Sequence, residues 1–301
     1  MNPHALLDVA ALRLSGFLYR DRKLFARSVD APPLVDVAAE AEATVDDVAV
    51  AGRHDIAVDT PVGTFDAAYM PWQWLGPEYP TVVYHHGSSE QPFDFGRFSS
   101  NTFRRLFVAT NAEVPANVVA IRTPFHGGPR EDYVDAMSDL ANFVGMVASS
   151  TALMEAIRAG ATDRTDGPVI LSGTSLGGFA ATLHRAVYGT ADRYVPLLAG
   201  AAFGELFVSS VYRHVAAESA LARPSLLRNV LDYDAEFRAV ERDDCSPLLA
   251  RYDRIVEYDV QRPSYAGMEL AVVDKGHLTG ALATDLLRRH LLDSLPDARP
   301  D

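Results

Sequence analysis

One pentapeptide in this sequence has the residue types and spacing of a nucleophile. Residues 173–177 read Gly-Thr-Ser-Leu-Gly, directly after an apolar run that ends at Leu171 and directly before a helical pattern. A sharp turn from strand to helix strains the serine backbone and brings neighbouring residues too close for side chains, which explains the glycines. The turn would present the Ser175 hydroxyl above a sheet edge, with the amide of Leu176 facing a developing oxyanion.

Two histidine motifs also stand at the ends of apolar runs. The residues His85, His86, Gly87 and Ser88 follow the run 81–84, and His277 follows the run 270–273. A catalytic base must accept the serine proton through one ring nitrogen and be oriented through the other. Among the nine histidines, only His277 lies between an apolar run and the last helical pattern. We interpret the adjacent histidines as a turn and predict no metal site there, because their side chains diverge.

Strands and helices must alternate if these motifs are to meet. A hairpin around Gly63 comes first, and short apolar runs typical of strands covered on both faces follow at 81–84, 118–121, 169–171 and 194–198. Helical patterns lie at about 98–111, 132–160, 176–189 and 205–241. Two short strands near 247–252 and 268–273 and a helix at about 278–293 end the chain. This alternation predicts an α/β protein with a mostly parallel central sheet and helices on both faces.

The chain divides into two predicted parts. Residues 1–50 are expected to form an N-terminal helix at about 4–27 and a connector at 30–47 with two prolines. Residues 51–301 are expected to form the main domain, with a helical insert at about 203–245. The segment 125–129, which reads Phe-His-Gly-Gly-Pro, is interpreted as a glycine turn at the same end of the sheet as Ser175.

Over residues 54–295 the sequence resembles an α/β-hydrolase-fold serine hydrolase of the esterase or lipase kind. The resemblance rests on three separated motifs in the order serine, acid, histidine. It implies that His277 is the base of Ser175 and that the backbone amides of Ser88 and Leu176 form the oxyanion hole. It also implies that the insert at about 203–245 is a small helical lid.

The same resemblance implies an acid, for which three positions compete. Asp253 is preferred, because it follows the predicted penultimate strand and would hold the base in its productive tautomer. Asp259 would take its place if that strand were instead 255–258, and Glu205 follows the sixth predicted strand. The glycine that usually precedes the acid in the family is replaced here by Arg251 and Tyr252.

Composition narrows the class of protein. The 301 residues are 48% hydrophobic and 22% charged, as in soluble globular chains. A net charge of −13 makes nucleic acid an unexpected partner. The single cysteine, Cys245, excludes an internal disulfide and a zinc site of several thiolates. We recognise neither an apolar run of about 18 residues nor a signal peptide, and therefore expect no membrane span and a cytoplasmic location.

These observations predict a serine hydrolase that needs no cofactor or metal. Ser175 would attack a carboxylic ester, a thioester or an activated amide of a small acyl substrate, with His277 and Asp253 completing the triad. Two alternatives are an acyltransferase of the same fold and a non-catalytic protein of this fold that binds a ligand or a partner.

Overall fold

The centre of the protein is an eight-stranded sheet. The computed structural model describes residues 2–19, 22–96, 99, 101–110 and 113–295. In chain order the strands are β1 (His54–Thr60), β2 (Gly63–Gln73), β3 (Thr81–His85), β4 (Asn117–Arg122), β5 (Val169–Thr174), β6 (Arg193–Leu197), β7 (Leu248–Ala250) and β8 (Ala271–Val273). Their order across the sheet is β1-β2-β4-β3-β5-β6-β7-β8. Strand β2 is antiparallel to both β1 and β4, and every other neighbouring pair is parallel, which confirms the predicted mostly parallel sheet.

Helices cover both faces of the sheet. They are α1 (Pro3–Tyr19), α2 (Leu34–Ala39), α3 (Arg130–Ala136), α4 (Leu140–Thr162), α5 (Leu176–Val187), α6 (Glu205–Val208), α7 (Glu218–Leu221), α8 (Pro224–Leu231), α9 (Asp234–Ala239), α10 (Tyr258–Gln261), α11 (His277–Ala281) and α12 (Thr284–Asp293). A π-helical turn lies at Arg104–Val108, and 3-10 turns lie at Val211–Val215 and Arg262–Tyr265. The helices α2, α4 and α5 contribute to the core on one face, whereas the π-helical turn and α12 contribute to the core on the other.

The continuous apolar runs form strands because each run supplies both cores. Val83 and Leu171 belong to the core under α4 and α5, whereas their neighbours Val82 and Ile170 belong to the core on the opposite face. Successive side chains of a strand point to opposite faces, so a strand buried on both sides must be apolar at every position. Strands β3 and β5 are parallel neighbours, and His85 pairs with Gly173, so their carboxyl ends lie side by side.

Two predicted helices have different bounds in the structure. The N-terminal helix ends at Tyr19 rather than at about 27, and the helix predicted at 132–160 is interrupted between α3 and α4. The chain segment 25–28 explains the interruption, because it bonds to the backbone at the break. The N–H of Phe25 donates to the carbonyl of Met137 at 2.9 Å, and the N–H of Leu140 donates to the carbonyl of Ser28 at 3.0 Å. Backbone bonds to this segment therefore take the place of helical bonds at the break.

Other predicted bounds also need correction. The connector at 30–47 contains α2, whose Leu34 and Val37 are buried in the main core. The helix predicted at about 98–111 is represented by the short π-helical turn, and positions 97, 98, 100, 111 and 112 lie outside the described residues. The final helix is divided into α11 and α12. The hairpin, the remaining strands and the series of short helices from 205 to 239 agree with the prediction.

Helix α4 has the length and apolar composition of a membrane-spanning helix, contrary to the expectation that no apolar run of this length is present. Its mean hydropathy over 18 residues is 1.4, but 78% of that window is buried inside the protein. A helix that is apolar all round is expected in the core of a large domain as well as in a membrane. In this fold α4 packs against α2, α5 and the strands.

Candidate active site

The turn between β5 and α5 holds Ser175 in a strained backbone conformation. Its φ of 56° and ψ of −111° lie outside the regions that residues with side chains normally adopt. The N–H of Ser175 donates to the carbonyl of Leu197 on the neighbouring strand at 2.8 Å. A Cβ on Gly177 would stand 2.2 Å from the carbonyl oxygen of His85, and one on Gly173 would stand 2.4 Å from a backbone carbon of Gly177. The glycines are therefore required by close backbone contacts, as predicted.

The structure brings Ser175, His277 and Asp253 together from three separate loops. The Oγ of Ser175 donates to Nε2 of His277 at 2.9 Å, and Nδ1–H of His277 donates to Oδ2 of Asp253 at 2.7 Å. The other carboxylate oxygen of Asp253 accepts from the backbone N–H groups of Ile255 and Val256 at 2.8 and 2.7 Å. These contacts fix the imidazole with its free lone pair toward the serine hydroxyl.

The two other acid candidates lie elsewhere. Glu205 begins α6 and pairs with Arg228 at 2.5 Å, and Asp259 is exposed on α10. Asp253 follows β7 at the carboxyl end of the sheet, and His277 begins α11 after β8. Strands β7 and β8 are parallel neighbours, so their following loops meet at one edge, and Asp253 is the candidate that reaches His277.

Charge around His277 favours its protonated form. Burial by itself would lower the pKa of His277, but the charge of Asp253 and its hydrogen bond outweigh burial, with Asp8 adding to the effect, and raise the pKa above its ordinary value. Burial also raises the pKa of Asp253, against the lowering effect of His277. An imidazole in this setting can accept the serine proton and is stabilised as an imidazolium while the hydroxyl oxygen attacks.

Ser88 and Leu176, the two predicted oxyanion residues, line the same cavity as Ser175 and His277. Leu176 is the first residue of α5, where backbone N–H groups have no partner within the helix. In the part of the chain that the structure describes, the N–H groups of Ser88 and Leu176 have no hydrogen-bond acceptor. Two unpaired donors that line the same cavity as Ser175 are what an oxyanion formed there would require.

Three side chains fix the loop that carries Ser88. The N–H of Ser89, whose φ is 61°, donates to Nε2 of His126 at 3.0 Å. The hydroxyls of Ser88 and Tyr133 share a hydrogen bond of 3.0 Å, and the N–H of Gly87 donates to Glu90 at 3.2 Å. The predicted glycine turn at 125–129 therefore has a second role, because its histidine is an acceptor for the backbone of this loop.

The histidines near this loop are neutral supports. Burial lowers the pKa of His85 and of His126 to about 4, and it lowers the pKa of His86 well below its ordinary value. The Nδ1–H of His126 donates to the carbonyl of Pro124, and that of His86 donates to the carbonyl of Gly87, so each Nε2 is left as an acceptor. Within the described ranges, no cluster of three or more His, Cys, Asp or Glu side chains has the geometry to hold a metal ion.

A cavity of about 260 Å³ opens onto the Ser175 hydroxyl. Most of its walls are apolar, and they come from distant parts of the chain, including Leu12, Phe143, Phe179, Phe203, Phe207 and Ile255. Two of these, Phe203 and Phe207, belong to the predicted insert, and Leu12 belongs to α1. The size is near the lower end of small-molecule sites, which span roughly 300–1,000 Å³.

Sequence reasoning assigned no supporting role to three polar residues that hold these loops: Glu90, Asp8 and His126 of the predicted turn. Glu90 is four residues after His86, but nothing in its spacing shows that it binds the backbone of Gly87. Asp8 interrupts the otherwise apolar stretch 5–12, which is the one sequence signal for a buried carboxylate. The partners of all three were unpredictable, because they depend on contacts between remote segments.

Comparisons with known proteins identify the fold. The sequence matches no protein-family model and no curated protein. An acetyl xylan esterase from Paenibacillus sp. R4 is similar in structure at 14% identity, with 98% of this chain and 95% of that chain covered and a TM-score of 0.52. Acetyl xylan esterase 1 from Thermoanaerobacterium sp. JW/SL YS485 is similar at 14% identity, with 94% and 93% covered and a TM-score of 0.51.

A Pyrococcus horikoshii acylaminoacyl peptidase is similar at 11% identity and a TM-score of 0.51, but only 39% of that longer chain is covered, against 80% of this one. At such low identity the likeness concerns the fold alone. Together with the sheet order and the turn at Ser175, it confirms the predicted α/β-hydrolase fold. The roles of the site residues stay predictions.

Replacing Asp253 with Asn tests the choice of acid. An amide at this position lacks the negative charge and no longer imposes the tautomer with Nδ1–H, so we expect kcat toward p-nitrophenyl acetate to fall about 10³- to 10⁴-fold. The variants Asp259→Asn and Glu205→Gln are the controls and should stay within about twofold of the parent chain. A larger loss in either control than in Asp253→Asn would mean that the acid is assigned wrongly.

Replacing His126 with Phe tests the support of the Ser88 loop. Phenylalanine preserves much of the ring packing but offers no acceptor to the N–H of Ser89. We expect kcat for the same ester to fall about 10- to 100-fold. This loss is smaller than that caused by removing an oxyanion donor itself, because the N–H of Ser88 is displaced and not removed. His54→Phe, far from the site, is the control. Unchanged kcat in a folded His126→Phe protein would show that the loop keeps its shape without this bond.

Proposed function

We propose that this chain, which has the α/β-hydrolase fold, is a serine hydrolase that cleaves carboxylic esters of small apolar acyl groups. The observation that carries the proposal is the chain of hydrogen bonds from Ser175 through His277 to Asp253, at 2.9 and 2.7 Å, beside an apolar cavity. A strained serine next to an oriented imidazole is costly to maintain, and a protein that only binds a ligand has no need of it.

The first half of the proposed reaction forms an acyl-enzyme. His277 Nε2 removes the proton of the Ser175 hydroxyl as the oxygen attacks the ester carbonyl. The carbonyl oxygen becomes an oxyanion, which the N–H groups of Ser88 and Leu176 stabilise. The tetrahedral intermediate then collapses, the bond to the alcohol oxygen breaks, and the imidazolium gives its proton to the departing alcohol.

The second half repeats the same steps with water. His277 takes a proton from a water molecule as the oxygen of that water attacks the acyl carbon. The oxyanion forms again at the same amides, and its collapse releases the carboxylic acid while Ser175 regains its proton from the imidazolium. Asp253 stays ionised throughout and stabilises the imidazolium.

The cavity supports an acyl substrate of limited size. Its apolar walls match a hydrocarbon chain, because removing apolar surface from water is the main source of binding energy there. A volume of about 260 Å³ suits one small acyl group better than a length of polypeptide. The structural neighbours include esterases and a peptidase, so the fold by itself does not choose between esters and amides.

A series of p-nitrophenyl esters, from acetate to octanoate, tests the proposal against the matching p-nitroanilides. We expect ester cleavage with free carboxylic acid as product, and kcat/KM rising about fourfold for each added methylene until the cavity is full. The acid limb of the pH profile should lie above pH 6.5, the ordinary pKa of imidazole, because His277 must be neutral to act as a base and its pKa is raised.

Ser175→Ala should lower kcat by about 10⁶-fold, whereas Ser209→Ala, at an exposed residue directly after α6, should not change it. Cleavage that continues at the parent rate in Ser175→Ala would contradict the proposal. A product ester formed on addition of an alcohol, with little free acid, would assign acyl transfer instead of hydrolysis. The cytoplasmic location and the absence of a nucleic-acid partner stay predictions.

A further inference from the structure

Helix α1 places a buried carboxylate between the two loops that carry the acid and the base. Asp8 has no exposed surface. Its Oδ2 accepts from the backbone N–H of His277 at 2.8 Å and from that of Arg254 at 3.2 Å, and its Oδ1 accepts from the N–H of Leu278 at 3.1 Å. One side chain from the start of the chain therefore binds His277 and the residue directly after Asp253.

The approach of α1 to α11 requires a glycine. A Cβ on Gly276 would stand 2.8 Å from Oδ2 of Asp8 and 2.8 Å from the carbonyl oxygen of His4. The absence of a side chain at Gly276 lets the carboxylate reach the first amides of α11. These amides have no partner within the helix and carry partial positive charge, so they suit a carboxylate.

A buried carboxylate is a costly way to attach a helix to the core. Taking an ionised group out of water is strongly unfavourable unless hydrogen bonds compensate, and packing alone is achieved by apolar residues, as at Ala5 and Leu12 of the same helix. All three hydrogen bonds of Asp8 go to backbone amides of the loops that hold the triad. The contact is therefore directed at the position of these loops.

We propose that Asp8 is a positioning residue of the triad, which holds the His277 backbone and the Asp253 loop in place relative to Ser175. The inference rests on the proposed hydrolytic function. Asp8 does not touch the reacting atoms. It fixes the backbone from which the imidazole projects, and its charge adds to that of Asp253 near the ring. Because α1 also lines the cavity through Leu12 and Ser15, the N-terminal helix serves both parts of the site.

The charges near His277 are few, so the effect of Asp8 can be separated. Among the described residues, two carboxylates raise the pKa of His277: Asp253 from the loop after β7 and Asp8 from α1. Lys275 is the charged residue nearest to His277 along the chain, and two arginines of these loops pair with other carboxylates. Arg254 pairs with Glu257 at 3.0 Å, and Arg251 pairs with Asp274 at 2.9 Å. His4 approaches Gly276 through its backbone carbonyl, and its ring stacks on Tyr252.

Asp8→Asn is the direct test, with Asp36→Asn on α2 as the matched control. The amide keeps the size of the side chain, but it removes the charge and turns one acceptor into a donor facing an N–H group. With p-nitrophenyl acetate as substrate, we expect kcat to fall roughly 10- to 100-fold, with little change in KM. The acid limb should move to lower pH, because loss of the charge lowers the pKa of His277. The control should change neither quantity.

Two further measurements keep the proposal falsifiable. Gly276→Ala pushes α1 away while Asp8 remains, and it should also lower kcat. An NMR titration of His277 in the Ser175→Ala background should show a lower imidazole pKa when Asp8 is replaced by Asn, and this readout does not require activity.

A folded Asp8→Asn protein with unchanged kcat, or with lower kcat and an unmoved acid limb, would overturn the proposal. If Asp8→Asn does not fold, unchanged kcat in Gly276→Ala would overturn it and lowered kcat would support it. If the parent chain shows no ester cleavage that depends on Ser175, the proposed function fails. The NMR titration then decides the role of Asp8 alone.

Discussion

The strained backbone at Ser175 is the constraint on which the rest of the site depends. A residue held at φ 56° and ψ −111° costs about 1–3 kcal/mol, and it persists only where its surroundings leave no alternative. Here those surroundings are backbone atoms: the bond from Ser175 N–H to Leu197, and the contacts of Gly173 and Gly177 with their neighbours. The packing of β3, β5, β6 and α5 offsets the free-energy cost of this strained backbone. The same packing fixes the position from which a base can reach Ser175.

The parallel sheet supplies that position. Parallel strands end at the same edge, so the loops after β3, β5, β7 and β8 lie side by side, and each brings one part of the site. These loops are then held by buried polar side chains from other segments, His126 for the Ser88 loop and Asp8 for the loops of Asp253 and His277. The sheet determines which loops meet, and the polar contacts determine the distances within the site.

This division explains what the sequence could predict. The turn at Ser175, the strands around it and the loop of His277 were predictable, because local spacing and apolar runs show them directly. To choose among Asp253, Asp259 and Glu205, one must know where β7 ends. This strand has only three residues, and local sequence patterns define its bounds poorly. The break between α3 and α4 and the contacts of Asp8 and His126 depend on segments that are remote in sequence, for which a single chain offers no local signal.

Labelling with a fluorophosphonate, followed by intact-mass analysis, is the first experiment to make, because this reagent reacts preferentially with an activated serine. We expect one adduct on the parent chain and none on Ser175→Ala, with both proteins folded by circular dichroism. A folded parent chain that stays unlabelled, or a Ser175→Ala protein that is labelled to the same extent, would contradict this expectation.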